Sequence, residues 1–169
     1  KIDDGTLKVV SGQTEIAQTA TEGWLPENAQ NRMDTLLTSS YSGDTVIDGV
    51  LSPNDTLARA IITSVQQAGK PVPVVTGQDS EVESVKSIME GIQYSTINKD
   101  TALLVEQAIK MVQQLQKGEE VEVNDTESYD NGAKVVPAYL LDPVIVTKEN
   151  AAEAYANVPS LLEIVKSYE

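Results

Sequence analysis

The feature that most constrains the fold is a regular alternation between short apolar runs and amphipathic segments of helical length. Most apolar runs end at Gly, Pro, Asn or Asp and lead into a segment whose apolar residues recur every three to four positions. The predicted strands are 6–10, 45–51, 72–76 and 94–97. Such alternation is typical of a parallel sheet flanked by helices, so the sequence predicts an α/β fold.

Local signals predict where the helices begin. Pro26 suits a first helical position, and an Asx residue at 54 or 55 can cap the next helix. Ser80 and Glu83 form an S-x-x-E pattern, which predicts a capping box at the third helix. The fourth and longest helix follows Asp100 and is expected to bury one apolar face. Its predicted inward residues are Leu104, Ala108, Met111, Val112 and Leu115.

The pattern changes after Gly118, where we expect the fourth helix to stop. Residues 119–130 are acidic and polar, and Asp130-Asn131-Gly132 is a turn signal. Residues 135–146 are β-prone but contain two prolines, which favours a connector, an edge strand or a crossing between lobes. The tail is predicted to form two short helices separated at Pro159.

Composition excludes several kinds of chemistry. The 169 residues include no His and no Cys, so Ser-His-Asp and Cys-His nucleophilic sites, imidazole or thiolate zinc sites and disulfides are absent. No glycine-rich phosphate loop follows any predicted strand. The net charge of −14 repels phosphodiester backbones and anionic lipid, so nucleic acid is not an expected partner. We expect no cofactor and no metal.

Polar residues follow three of the predicted strands. In an open parallel sheet, ligands gather at the carboxyl ends of the strands, which here lead into residues 52–55, 77–80 and 98–100. Candidate ligand residues in these loops are Asn54, Asp79 and Lys99. An amide, a carboxylate and an ammonium suit a neutral ligand with neighbouring hydroxyls. Trp24, the only tryptophan, could lay an apolar ring against such a ligand.

Each candidate also has a structural interpretation. Asn54 or Asp55 could be a helix cap, and Asp79 could serve only the loop before a helix. Lys99 beside Asp100 could be a solvated surface pair. Trp24 could pack in a core or at a hinge. The residue patterns alone leave these alternatives open.

An ordered set of motifs resembles a known family. The motifs are GWLPENA at 23–29, SPND at 52–55, GQD at 77–79, NKD at 98–100, NG at 131–132 and VPAYLL at 136–141. From about Leu7 to Tyr155 the chain resembles the xylose- and multiple-sugar-binding branch of the type I periplasmic binding proteins, which serve ABC sugar importers. The resemblance implies one lobe of a bilobed protein, with a sugar enclosed between two α/β lobes joined by three crossings.

The resemblance also implies a domain organisation. Residues 1–97 would form most of the C-terminal sugar-binding lobe. Residues 98–133 would contain a hinge crossing and a segment belonging to the N-terminal lobe, and 134–169 a return crossing and the C-terminal tail. Most of the N-terminal lobe would be missing. The implied sugar contacts are Trp24, Asn54, Asp79 and Lys99, with Lys99 at the hinge.

The implied function is non-catalytic capture of a monosaccharide such as xylose or glucose, for delivery to the membrane permease of an ABC importer. The expected location is the periplasm, or the outer face of a Gram-positive membrane as a lipoprotein. A sugar-responsive transcription regulator of the lactose-repressor type is the main alternative. An α/β enzyme using Asp79 and Lys99 on a sugar is a weaker one, because no second acid or activated nucleophile stands opposite them. The sequence preceding Lys1 would distinguish transport from regulation, through a signal peptide or a DNA-binding head.

Overall fold

The computed structural model describes residues 1–168, and the chain divides into two compact units. Unit 1 comprises Lys1–Ile97 and Ile145–Glu169, and unit 2 comprises Asn98–Val144. The unit boundaries therefore lie at 97/98 and 144/145, whereas the sequence predicted domain boundaries at 97/98 and 133/134. The assignment of these segments to the two lobes of a larger protein stays a prediction.

The described residues contain seven α-helices and four short strands. In chain order they are α1 (Ile16–Thr19), a 3₁₀ turn (Glu22–Trp24), α2 (Pro26–Ser39), β1 (Gly49–Val50), α3 (Asp55–Gln67), β2 (Val74–Val75), α4 (Val82–Met89), β3 (Thr96–Asn98), α5 (Thr101–Lys117), β4 (Val144–Val146), α6 (Ala151–Ala154) and α7 (Pro159–Lys166). Strands β1 and β2 pair in parallel, and β3 pairs with β4. The predicted α/β fold, with parallel strands and flanking helices, is confirmed.

The strands are shorter than predicted, and one prediction is wrong. Residues 6–10 form no strand: they lie in turns and coil, and Leu7 N–H donates to the Lys1 carbonyl at 3.0 Å. A β-prone run becomes a strand only where a neighbouring strand accepts its backbone hydrogen bonds. The side chains of Leu7 and Val10 are exposed, so this segment also has no sheet face to cover.

The apolar core of unit 1 lies between its helices and strands. Helix α2 packs on α3, where Met33, Leu37 and Val65 form one buried cluster. A larger cluster joins α4 to the C-terminal helices α6 and α7; its members are Val85, Met89, Val146, Ala151, Tyr155, Leu161 and Val165. Burying one such side chain stabilises the fold by about 1.5–3 kcal/mol.

The start of α3 is as predicted, and the start of α4 is not. Asn54 caps α3, because its Oδ1 accepts a hydrogen bond from Leu57 N–H at 3.0 Å. The predicted capping box of Ser80 and Glu83 is wrong: Glu81 occupies the N-cap of α4. The hydroxyl of Ser80 instead bonds to a tyrosine distant in the sequence, an interaction that no local pattern signals.

Unit 2 is dominated by α5. The Asp100 carboxylate caps its start, and the left-handed Gly118 ends it at the residue where the sequence predicts the stop. The predicted burial of its apolar face is wrong for this chain, since no residue of α5 is buried. Its large apolar side chains are mostly exposed instead. None of the helices described in residues 1–168 combines the length and apolarity needed to cross a bilayer.

Candidate ligand-binding site

The loops that carry Asn54 and Asp79 are adjacent. They follow the parallel strands β1 and β2, so they leave the sheet at the same edge. A hydrogen bond joins them directly, because Asp55 N–H donates to the Gln78 carbonyl at 2.9 Å. The structure therefore places these two predicted site residues on neighbouring loops. We call residues 77–81, which include Asp79, the ligand loop.

The ligand loop has an unusual backbone at its centre. Asp79 and Ser80 both have positive φ values, 95° and 53°, although neither is glycine. Such a conformation costs about 1–3 kcal/mol per residue and persists only where surrounding contacts hold it. The Asp79 side chain is exposed, and Ser80 is buried beneath it. The strained turn thus presents a carboxylate to solvent.

A fully buried carboxylate lies under this loop. Asp55 is 0% exposed and accepts hydrogen bonds from Glu81 N–H at 2.9 Å, Thr96 Oγ1 at 2.8 Å and Gln93 Nε2 at 2.9 Å. The Thr96 hydroxyl accepts in turn from Ser80 N–H at 3.1 Å. Burial raises the pKa of Asp55, and its three hydrogen bonds oppose that rise by stabilising the charged form.

Gly77 opens the ligand loop because no side chain fits there. A Cβ on residue 77 would collide with the Asp55 carboxylate and would stand 2.6 Å from Gln93 Nε2. The glycine therefore lets the backbone lie directly against the buried polar groups. The first residue of the GQD motif has a packing role in this fold.

A second support reaches the ligand loop from the C-terminal part of unit 1. Tyr155, at the end of α6, is fully buried and donates its hydroxyl to Ser80 Oγ at 2.9 Å. Burial raises the pKa of Tyr155 to about 12. At the next residue of the loop, Arg59 of α3 forms an ion pair with the Glu81 carboxylate at 2.5 Å. The last two residues of the loop are thereby attached to α3 and to the end of α6.

Trp24 lies elsewhere in unit 1, in the 3₁₀ turn that precedes α2. It ends the 3₁₀ turn with a positive φ of 54°, and its side chain is 58% exposed. Asn28 Nδ2 donates to the Glu22 carbonyl at 3.0 Å, and the Arg32 guanidinium donates to the carbonyls of Thr19 and Ala20. These contacts anchor the turn to α2. The ring is not a core residue of this chain and remains open to a ligand or another surface.

The two remaining candidate ligand residues are Asn54 and Lys99. Asn54 is half-buried, and because Oδ1 serves the cap of α3, its Nδ2 is the group able to donate to a ligand. Lys99 is exposed, follows β3 and belongs to unit 2. Within residues 1–168 no cluster of three or more acidic side chains could hold a metal ion.

Sequence reasoning missed the residues that support the ligand loop. The residue patterns predict Asp55 only as a possible cap, and they predict no role in the site for Gln93, Thr96 or Tyr155. The adjacency of Asn54 and Asp55 was the available signal, because one residue can cap the helix while the other turns inward. Nothing local marks Gln93 or Tyr155, since their partners lie 38 and 75 residues away.

Comparison with known proteins identifies the family. The Periplasmic binding protein domain matches residues 2–120. The chain belongs to this family. It is 50% identical over 154 residues to the multiple sugar-binding periplasmic receptor ChvE of Rhizobium radiobacter, and 35% identical over 150 residues to the D-xylose-binding periplasmic protein of Escherichia coli. These alignments cover 88% of this chain but only 43% and 42% of the relatives.

Solved structures confirm the predicted fold of a type I periplasmic binding protein. An ABC transporter solute-binding protein from Clostridium phytofermentans with bound β-D-glucose matches with a TM-score of 0.87 and 40% identity, over 95% of this chain and 51% of that one. A carbohydrate transporter solute-binding protein from Chloroflexus aurantiacus in complex with D-glucose matches with a TM-score of 0.70 and 34% identity, over 82% and 40% of the two chains. The chain thus spans about half the length of these family members.

Proposed function

We propose that this chain is the C-terminal lobe, with hinge segments, of an extracytoplasmic solute-binding protein. The protein captures a monosaccharide, such as glucose or xylose, and delivers it to the membrane permease of an ABC importer. It acts in the periplasm, or as a lipoprotein outside a Gram-positive membrane. It binds its sugar without chemical conversion and needs no cofactor.

One observation carries this proposal. The two polar loops at the ends of β1 and β2 are joined by the Asp55–Gln78 hydrogen bond, in a chain whose fold matches a glucose-bound solute-binding protein with a TM-score of 0.87. Polar loops at this edge of a parallel sheet suit ligand binding. Membership of the periplasmic binding protein family and the periplasmic sugar-binding relatives support the same conclusion.

The four predicted site residues suit a sugar in complementary ways. The Asp79 carboxylate can accept from two neighbouring hydroxyls, while Asn54 Nδ2 and the Lys99 ammonium donate to other ring oxygens. The exposed indole of Trp24 suits the apolar C–H face of a pyranose. A site built from such hydrogen bonds rejects ligands that lack the matching hydroxyls.

The exposed face of α5 supports a second lobe. Six large apolar side chains of this helix are exposed: Leu103, Leu104, Val105, Ile109, Val112 and Leu115. Five of the six, all but Leu103, recur at helical spacing along one face, and an exposed apolar face of this kind indicates an interaction site. Because the chain spans about half of its relatives, we assign this face to the N-terminal lobe of the same protein, to which residues 98–133 would belong. Lobe closure about the hinge then signals the bound state to the permease.

Calorimetric titration of the full-length protein with D-glucose, D-xylose, D-galactose and D-ribose tests the proposal. We expect saturable 1:1 binding of at least one of these sugars, and the same sugar recovered unchanged after prolonged incubation. Sucrose is the control, because a pocket closed around one ring excludes a second ring. Binding of none of the monosaccharides would refute the proposed function, and product formation would indicate an enzyme instead.

A further inference from the structure

We propose that the buried pair Asp55 and Thr96 is a positioning device for the ligand loop: it holds the left-handed backbone that presents Asp79, so sugar affinity depends on two side chains that lie beneath the loop. This inference rests on the proposed function. Both residues are 0% exposed, so they act through the backbone of the loop rather than from its surface.

The hydrogen bonds of the loop backbone show how the device works. Three successive N–H groups are bound: Asp79 N–H to the Ile97 carbonyl at 3.1 Å, Ser80 N–H to Thr96 Oγ1 and Glu81 N–H to Asp55 Oδ2. The preceding carbonyl, that of Gln78, accepts from Asp55 N–H. Four consecutive residues are therefore held, and two of the four bonds end on the side chains of Asp55 and Thr96.

The direction of each bond makes the pair interdependent. Because Thr96 Oγ1 accepts from a backbone N–H, its own proton is directed to Asp55, whose carboxylate only accepts. The carboxylate thus orients the hydroxyl, and the hydroxyl holds Ser80. Removing the hydroxyl leaves a buried N–H without its acceptor and removes one donor from a buried charge, which is a costly arrangement.

The strain at Asp79 explains why this support affects binding. A non-glycine residue at φ 95° relaxes towards negative φ when its neighbours are released, and the carboxylate moves with it. A hydrogen-bonding group that leaves its productive geometry loses most of its contribution to affinity. The support therefore fixes the position of the Asp79 carboxylate before the sugar binds.

Three variants of the full-length protein test the proposal. Thr96→Val keeps the shape of the side chain but removes the hydroxyl, whereas Thr96→Ser keeps the hydroxyl. Val65→Ala is the stability control: Val65 is fully buried in the α2–α3 cluster and belongs to neither the loop nor its support. For each variant, the Kd is measured by calorimetry well below the unfolding temperature, with whichever of D-glucose, D-xylose, D-galactose and D-ribose binds the wild type most tightly. Amide hydrogen exchange of residues 77–81 is measured without sugar.

We expect Thr96→Val to weaken sugar binding about tenfold and to accelerate exchange of the Ser80 and Glu81 amides. Thr96→Ser should bind within about twofold of the wild type. Val65→Ala should lose thermal stability but keep the wild-type Kd, which separates positioning from general destabilisation.

Two results would overturn the inference. Unchanged exchange in Thr96→Val would mean that the hydroxyl does not hold the loop, and faster exchange with an unchanged Kd would mean that the loop position does not matter for binding. Failure of the wild type to bind any monosaccharide would refute the proposed function, and with it the role in affinity. The exchange measurements, which need no ligand, would still decide whether the pair holds the loop.

Discussion

The ligand loop and helix α5 both follow strands, yet their conformations have different origins. The loop depends on partners distant in the sequence: Glu81 N–H donates to Asp55 across 26 residues, and Ser80 Oγ accepts from Tyr155 across 75. Helix α5 depends on neighbours: Asp100 bonds to Ala102 N–H at its start, and Gly118 ends it. A conformation that violates local preference needs tertiary contacts, whereas one that follows it does not.

The two regions also reverse the usual distribution of polar and apolar groups. Beneath the loop, a carboxylate, a hydroxyl and an amide are buried with hydrogen-bond partners. On α5, large apolar side chains are exposed. Apart from Gln93 Oε1, which is buried without a hydrogen-bond partner, the polar groups of the first arrangement are satisfied within this chain. The second arrangement is completed, on our proposal, by the other lobe. Four predictions test this contrast.

The largest effect is expected on α5. Val112→Asp in the full-length protein should reduce the free energy of unfolding by about 3 kcal/mol, because an unpaired carboxylate would be buried where the N-terminal lobe covers the helix. Gln116→Asp is the matched control, since it places the same acid at an exposed polar position of the same helix. Urea unfolding of the two variants measures the difference.

The control should cost no more than about 1 kcal/mol, through helix propensity and the helix dipole. Similar losses in the two variants would show that nothing covers the apolar face of α5. The exposed face of α5 would then give no support to a second lobe. The conclusions about the ligand loop would not be affected.

The next effect concerns the carboxylate that the loop presents. Asp79→Ala should weaken sugar binding by about 1.5–3 kcal/mol, the range for hydrogen bonds to a charged group. Asp79→Asn provides the sharper comparison, because asparagine tolerates positive φ and the loop keeps its backbone while it loses the charge. We expect a loss in both variants by calorimetry. Wild-type affinity in both would exclude Asp79 from the sugar site.

The smallest effect concerns the Tyr155–Ser80 hydrogen bond. Tyr155→Phe should cost about 1 kcal/mol of stability at neutral pH, because the buried Ser80 hydroxyl loses its donor. In a double-mutant cycle with Ser80→Ala, the combined loss should be smaller than the sum of the two single losses, because both substitutions remove the same bond. Additive losses would mean that the hydroxyls do not interact.

The same tyrosine makes the wild type sensitive to alkali. The folded state holds its proton with a pKa of about 12, above the value near 10 of an unfolded tyrosine. Because the folded state binds this proton more tightly than the unfolded state does, the raised pKa stabilises the folded state. This stabilisation is complete below about pH 10 and is lost as the pH rises towards 12. Between about pH 9 and pH 11, the wild type should therefore lose about 1 kcal/mol more than Tyr155→Phe. Parallel pH dependences would contradict the buried position of the hydroxyl.

The sequence by itself determined the elements whose signals are local. Helix α2 begins at Pro26, Asn54 caps α3, and Gly118 ends α5 as predicted, because each rests on hydrogen bonds within a few residues. The α/β fold followed from the alternation of periodicities, and the ordered motifs indicated the periplasmic binding protein family. The roles of Trp24, Asn54, Asp79 and Lys99 in sugar binding stay predictions, which the experiments above address.

Only the tertiary structure decided which β-prone runs pair and how the ligand loop is held. Residues 6–10 have strand propensity but form no strand, and Ser80 serves a distant tyrosine rather than a capping box. The left-handed turn at Asp79 depends on Asp55 and Thr96, which no short sequence window contains together. The physical reason is that a buried hydrogen bond is set by where the fold brings donor and acceptor together, and sequence spacing does not record that distance.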